Sequence, residues 1–146
     1  MATMNDSVLF STLRTASGHA FGRATLNVAG SLNALSLAMV DLLDARLTAW
    51  AANPQVAGVL LDAAGDKAFC AGGDVVGLYR SIRATPPGEL PVEAAAFFER
   101  EYRLDHRIHR YPKPLLCWGH GIVMGGGIGL MSGASHRVVT PRTRLA

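Results

Sequence analysis

The chain is poor in cysteine, in charge and in aromatic residues, and each shortage removes a class of protein. Cys70 and Cys117 are the only cysteines among 146 residues, too few for a disulfide framework. Their apolar neighbours mark them as free buried thiols, and a reducing cytoplasm is the expected setting. Charged residues make up 17% and hydrophobic residues 49%, which excludes a disordered chain. Apolar stretches are broken by Gly, Pro or charge well short of a membrane span. Met1 to Asp6 has no basic start leading into an apolar run, so no secretory signal is expected. Aromatics are 7% and are not interleaved with the basic residues, so nucleic acid is not an expected partner. No linker divides residues 1–146, which read as one domain.

Glycine is what the chain does have, in two strings: Phe69-Cys70-Ala71-Gly72-Gly73-Asp74 and Met124-Gly125-Gly126-Gly127-Ile128-Gly129. Each follows an apolar run and opens a helical pattern. Glycine lets a ligand approach the main chain, and exposed N–H groups at a helix start suit negative charge. Two such strings converging on one point can hold a carbonyl oxygen as it becomes an oxyanion. Close helix packing is the alternative for either string alone. A dinucleotide fingerprint fits poorly, because Ser132 follows Gly127-Ile128-Gly129 and no acidic residue comes after it. A P-loop fails for want of a Lys-Ser or Lys-Thr pair.

Around these strings the pattern is α/β. Val8–Thr15 and Ala20–Val28 predict a hairpin about Ser17-Gly18-His19. Ser36 caps a predicted helix carrying Leu37, Val40, Leu43, Leu47 and Trp50 on one face, stopped at Asn53-Pro54. Val56–Asp62, Leu115–Trp118 and His136–Thr140 read as buried parallel strands. Asp74 is placed to cap a helix over Val75–Ile82. Thr85–Pro91 is a loop, and a long helix runs from Val92 to His109. Strand, helix, strand, helix, strand argues for parallel strands with helical crossovers.

Asp66-Lys67-Ala68-Phe69-Cys70-Ala71-Gly72-Gly73-Asp74, followed by His120-Gly121-Ile122-Val123-Met124-Gly125-Gly126-Gly127-Ile128-Gly129-Leu130, closely resembles the enoyl-CoA hydratase/isomerase (crotonase) superfamily. Leu32-Asn33-Ala34-Leu35, Phe97-Phe98-Glu99-Arg100-Glu101-Tyr102 and the spacing to Lys113-Pro114 resemble its 3-hydroxyisobutyryl-CoA hydrolase branch. The resemblance implies a crotonase-like ββα spiral, incomplete at its C-terminus, and an acyl-CoA thioester substrate with no metal or redox cofactor. It implies that the N–H groups of Gly73 and Gly126 form the oxyanion hole. Ala34, Ala71 and Val75 would lie along the CoA and acyl path. Asp74 is a candidate substrate contact whose competing role is the helix cap. Glu101 would hydrogen-bond an acyl hydroxyl or orient water, its competing role being a surface carboxylate paired with Arg103 or His106.

Gly129 matches the place where hydratases of the superfamily carry one of two catalytic glutamates, so the hydratase route is closed and the hydrolase branch favoured. In that branch a later carboxylate does the work. The motif that Arg144-Leu145-Ala146 begins would continue Met-Pro-Glu, so these 146 residues are expected to be inactive alone, and a homo-oligomer is expected where the C-terminal part is present. Gly30 stands where many members have a basic residue that holds CoA phosphate, leaving Arg23 or another basic group to substitute. The basic run Arg100, Arg103, Arg107, Arg110 and Lys113 is either a solvated helix face or an attractor of a nucleotide-phosphate tail. Cys70 as nucleophile, His120 as base and a zinc set of His106, His109 and Cys117 are weaker candidates. Other superfamily chemistry and a non-catalytic binding module remain the alternatives.

Overall fold

In the computed structural model, residues 6–146 are described. The N-terminal hairpin pairs β1 (Val8–Arg14) with β2 (Ala20–Leu26) antiparallel. Its turn closes through the Thr15 N–H donating to the His19 carbonyl at 2.9 Å, with Gly18 at φ 86°. β2 then runs parallel to β3 (Val56–Ala63), β3 to β5 (Leu115–Gly119) and β5 to β7 (His136–Val139). The resulting five-stranded sheet has the order β1-β2-β3-β5-β7. A second sheet, absent from the sequence expectations, is built from three short parallel strands in the order β4-β6-β8: Ala68–Cys70, Ile122–Val123 and Arg144–Leu145.

Four α-helices cross between strands. α1 (Leu37–Ala52) starts where the Ser36 side chain accepts from the Met39 N–H, and it ends at Asn53, before Pro54. Its buried face is Met39, Val40, Leu43, Leu47 and Trp50. α2 (Val75–Ala84) begins at Asp74, whose side chain accepts from the Gly77 N–H at 3.1 Å. α3 (Val92–His109) follows the loop and buries Ala94, Phe97, Glu101, Leu104 and Ile108, a three-four repeat with a carboxylate in its middle. α4 (Gly126–Ser132) opens directly from the second glycine string. Leu26, Leu35, Leu61, Phe69, Leu104, Leu115 and Leu130 join the helices to both sheets in one core. Trp50 is in that core, whereas Trp118, on the outward side of β5, is 44% exposed.

α3 is tied to α1 by charge as well as by packing. Arg100 pairs with Asp41 at 2.7 Å and Arg107 with Asp44 at 2.6 Å, while the Tyr111 hydroxyl donates to the Leu47 carbonyl. The ion pairs lie near the surface and contribute little each. No helix of the described residues is long and apolar enough to cross a membrane.

Candidate active site

The two glycine strings meet because the strands before them are neighbours. β4 and β6 pair in parallel, with Cys70 opposite Val123, so both chains leave the sheet at the same end. The Met124 N–H donates to the Cys70 carbonyl at 3.0 Å, the last rung of that ladder. Beyond it the strings lie side by side, and a Cβ on Gly72 would sit 3.5 Å from the Met124 carbonyl. Gly72 at φ 113° and Gly125 at φ 48° turn the two backbones in a region that favours glycine.

Gly73 is bridged to Leu35 in parallel fashion. The Leu35 N–H donates to the Gly72 carbonyl at 2.8 Å, and the Asp74 N–H donates to the Leu35 carbonyl at 2.7 Å. This geometry spends the amides either side of Gly73 and turns its own N–H away from Leu35. Gly126 is the first residue of α4, whose N–H has no acceptor inside the helix. Among the described residues, neither the Gly73 nor the Gly126 N–H has a backbone acceptor.

Gly73 and Gly126 line one cavity of ≈ 470 Å³ together with Val75, Phe97, Glu101, Asp105 and Gly129. Of the residues singled out from sequence, the structure therefore gathers Gly73, Gly126, Val75 and Glu101. Ala34 and Ala71 do not line it. They sit on the seam between residues 31–35 and 71–74, where the Ala71 N–H donates to the Leu32 carbonyl at 3.0 Å. Asp74 does not line it either, and its side chain serves as the α2 cap.

Glu101 is 5% exposed and makes no ion pair with Arg103 or His106; Arg103 pairs with Glu99 instead. Its carboxylate lies against the Cα of Gly126, where an added methyl group would overlap Oε1. Burial pushes the Glu101 carboxyl above its usual value. Asp105, one helical turn further along α3, was not singled out by the sequence reading. Its Oδ1 is buried with no hydrogen-bond partner. Burial, and then the neighbouring Glu101 charge, push its carboxyl up to about 6. Asp105 occupies the space that a side chain at 129 would need: a Cβ there would be 2.5 Å from Oδ2. One sequence signal was available, two carboxylates four residues apart on the apolar face of a helix, a repulsive spacing that burial makes worse.

The remaining candidates have structural employment. Burial pushes the Cys70 thiol up to about 11, away from nucleophilic character. His120 Nε2 is 2.9 Å from the Gly65 carbonyl, and His120 does not line this cavity. Arg23, the suggested substitute for a basic residue at 30, holds Asp62 at 2.7 Å. Arg100, Arg103 and Arg107 are ion-paired, and Lys113 donates to the Trp50 and Asn53 carbonyls. Arg100, Arg107 and Lys113 thus tie α3 and the segment after it to α1, while Arg103 pairs within α3 and, with Arg107 and Arg110, lines a cavity of ≈ 690 Å³. No group of three or more His, Cys, Asp or Glu among the described residues is placed to hold a metal ion.

Comparison with known proteins agrees with this architecture. The sequence profile of the family described as Enoyl-CoA hydratase/isomerase matches residues 21–146. The 3-hydroxyisobutyryl-CoA hydrolase of Homo sapiens mitochondria is 37% identical over 125 residues, covering 86% of this chain and 31% of the relative. The small ribosomal subunit protein mS47 of Neurospora crassa is 36% identical over 121 residues, covering 83% of this chain and 23% of the relative. Among solved structures, a carnitinyl-CoA dehydratase from Mycobacterium thermoresistibile superposes with a TM-score of 0.87 at 41% identity, over 97% of this chain and 39% of that one. The chain thus spans about a third or less of the length of the curated relatives it matches. A profile match over most of its length, beside two glycine turns on adjacent parallel strands, leads to one conclusion: the chain belongs to the enoyl-CoA hydratase/isomerase family of the crotonase superfamily.

Proposed function

We propose that this chain forms the thioester-binding part of an acyl-CoA hydrolase of the 3-hydroxyisobutyryl-CoA hydrolase type. In this reading the Gly73 and Gly126 N–H groups donate to the thioester carbonyl oxygen and stabilise the oxyanion that forms when the carbonyl carbon is attacked. The observation that carries the reading is that Gly73 and Gly126, whose N–H groups have no backbone acceptor, line the same cavity as a buried carboxylate. Two preorganised amides add more in the transition state than in the ground state, each worth about 2.7–4 kcal/mol. Phe97 and Val75 supply apolar wall for the acyl chain.

The hydrolase reading is preferred to hydration because Gly129 offers no carboxylate of its own and the relatives include 3-hydroxyisobutyryl-CoA hydrolases. The resemblance puts the attacking or base-forming carboxylate three positions after Ala146. β8 suits that assignment: the Gly125 N–H donates to the Ala146 carbonyl at 3.3 Å, which holds this strand beside the second glycine string. The relatives' identities support a short hydroxylated acyl group as substrate.

A panel of acyl-CoA thioesters assayed with the full reading frame tests the proposal. Thiol release with no change in an acyl double bond is the expected result. Hydration of an enoyl-CoA without thiol release would overturn it. A second reading, a non-catalytic assembly module, is favoured by the exposed apolar side chains Val75, Val76, Tyr79 and Ile82 on α2. It predicts no turnover of any thioester.

A further inference from the structure

Two carboxylates face the cavity, and the register of α3 against α4 spaces them along α4. Glu101 lies against Gly126, whereas Asp105 lies against Gly129. Positions 126 and 129 are three residues apart on α4, roughly 4.5 Å along the axis. Glu101 is therefore level with the amides that would hold the thioester oxygen. Asp105 stands one step further along α4, at the distance of the third or fourth atom of an acyl chain laid along that helix.

The polar inventory around Asp105 is unbalanced. Asp105 Oδ1 is buried without a donor, and Oδ2 faces a glycine that has no side chain to offer one. Glu101, more than nine-tenths buried and turned into the same cavity, makes no hydrogen bond or ion pair to another side chain among the described residues and lies too near to be anything but a like charge. Ionised carboxylates only accept hydrogen bonds, so neither relieves the other. A buried acceptor left in this state costs free energy unless a ligand supplies the donor.

Building on the hydrolase reading, we propose that Asp105 is a specificity-determining residue whose unpartnered oxygen accepts the hydrogen bond of a hydroxyl group carried two or three carbons beyond the thioester carbonyl. Glu101, level with the carbonyl, is then left to orient water. Gly129 becomes part of the same device, because any side chain there would displace the Asp105 carboxylate. A thioester without the hydroxyl enters the same cavity but strands the acid, and discrimination rests on that penalty.

Calorimetric titration of the full-length protein with non-hydrolysable analogues of 3-hydroxyisobutyryl-CoA and of isobutyryl-CoA, which differ by one hydroxyl, tests this without turnover. The wild type should prefer the hydroxylated analogue by roughly 10- to 100-fold, the worth of one hydrogen bond to a charged group. Asp105→Leu should bring the ratio close to one, weakening the hydroxylated ligand and relieving the penalty on the other. Asp105→Asn, which keeps an acceptor oxygen, should retain most of it. A merely structural Asp105 would instead make both ligands weaker together and lower the melting temperature of Asp105→Leu. Equal binding of the two analogues by the wild type overturns the role of Asp105 and leaves the hydrolase reading standing. Failure of both to bind overturns the hydrolase reading and this inference with it. The wild-type ratio decides even if the leucine variant does not fold.

Discussion

Replacing Asp105 by Asn removes a charge while keeping the shape, and its consequence for stability can be worked from the structure. The carboxyl is pushed from an ordinary value of 3.8 up to about 6 by burial and by Glu101. Between those values the folded protein holds a proton that the unfolded chain has released. Stability therefore falls as pH rises through that window, and the full penalty is present above about pH 6. Two pH units correspond to roughly 3 kcal/mol. Asp105 is only partly buried as a residue, so solvent screening reduces the expected figure to about 1–2 kcal/mol. At pH 8 the Asn variant should be more stable than the wild type by that amount, or roughly 2–8 °C in Tm for a domain of this size. At pH 4, where the folded acid is protonated and the unfolded one only partly ionised, most of this charge-dependent advantage should disappear. Paired thermal melts at the two pH values measure the difference directly. An Asn variant that gains nothing at pH 8 relative to pH 4 would refute the assignment of Asp105 as a buried, uncompensated acid. A gain at pH 8 would mark a residue retained against stability, as expected of a group kept for binding.

Other outcomes follow from the same geometry. Gly126→Ala leaves the N–H in place but forces the Glu101 carboxylate out of its position, so it should lower kcat for thioester hydrolysis by steric displacement, by about 10²-fold; unchanged kcat would count against a working role for Glu101 beside Gly126. Asn33 is fully buried, accepts from the Val28 N–H, and donates to the Ala64 and Ala68 carbonyls, each at 2.9 Å. Asn33→Ala should cost roughly 3 kcal/mol or more in chemical denaturation, because three buried backbone groups lose partners at once. Cys70 should resist iodoacetamide at pH 8 in the folded protein and react on unfolding, as its buried thiol and value near 11 require; rapid native labelling, read by mass spectrometry, would contradict its burial.

Much of this protein is written in short-range signals, and those could be read without coordinates. Ser36 and Asp74 cap the helices they precede, because a side-chain oxygen needs only the next turn to find its N–H. The apolar repeat of α1, the limits of α3 and the long strands β3 and β5 follow from local periodicity in the same way. The motif pair placed the chain in its superfamily. The second sheet was not legible, since strands of two or three residues such as β6 and β8 carry no period. Nor did sequence indicate that Arg23 and Arg107 were already committed to Asp62 and Asp44, partners 39 and 63 positions away. Above all, Asp105 meets Gly129 only because α3 packs across α4 in one register. Composition and local pattern determined which elements form and which family they belong to. The tertiary packing decided which carboxylates face the cavity and where along α4 each stands, because contacts between distant segments depend on a helix rotation that no single segment encodes.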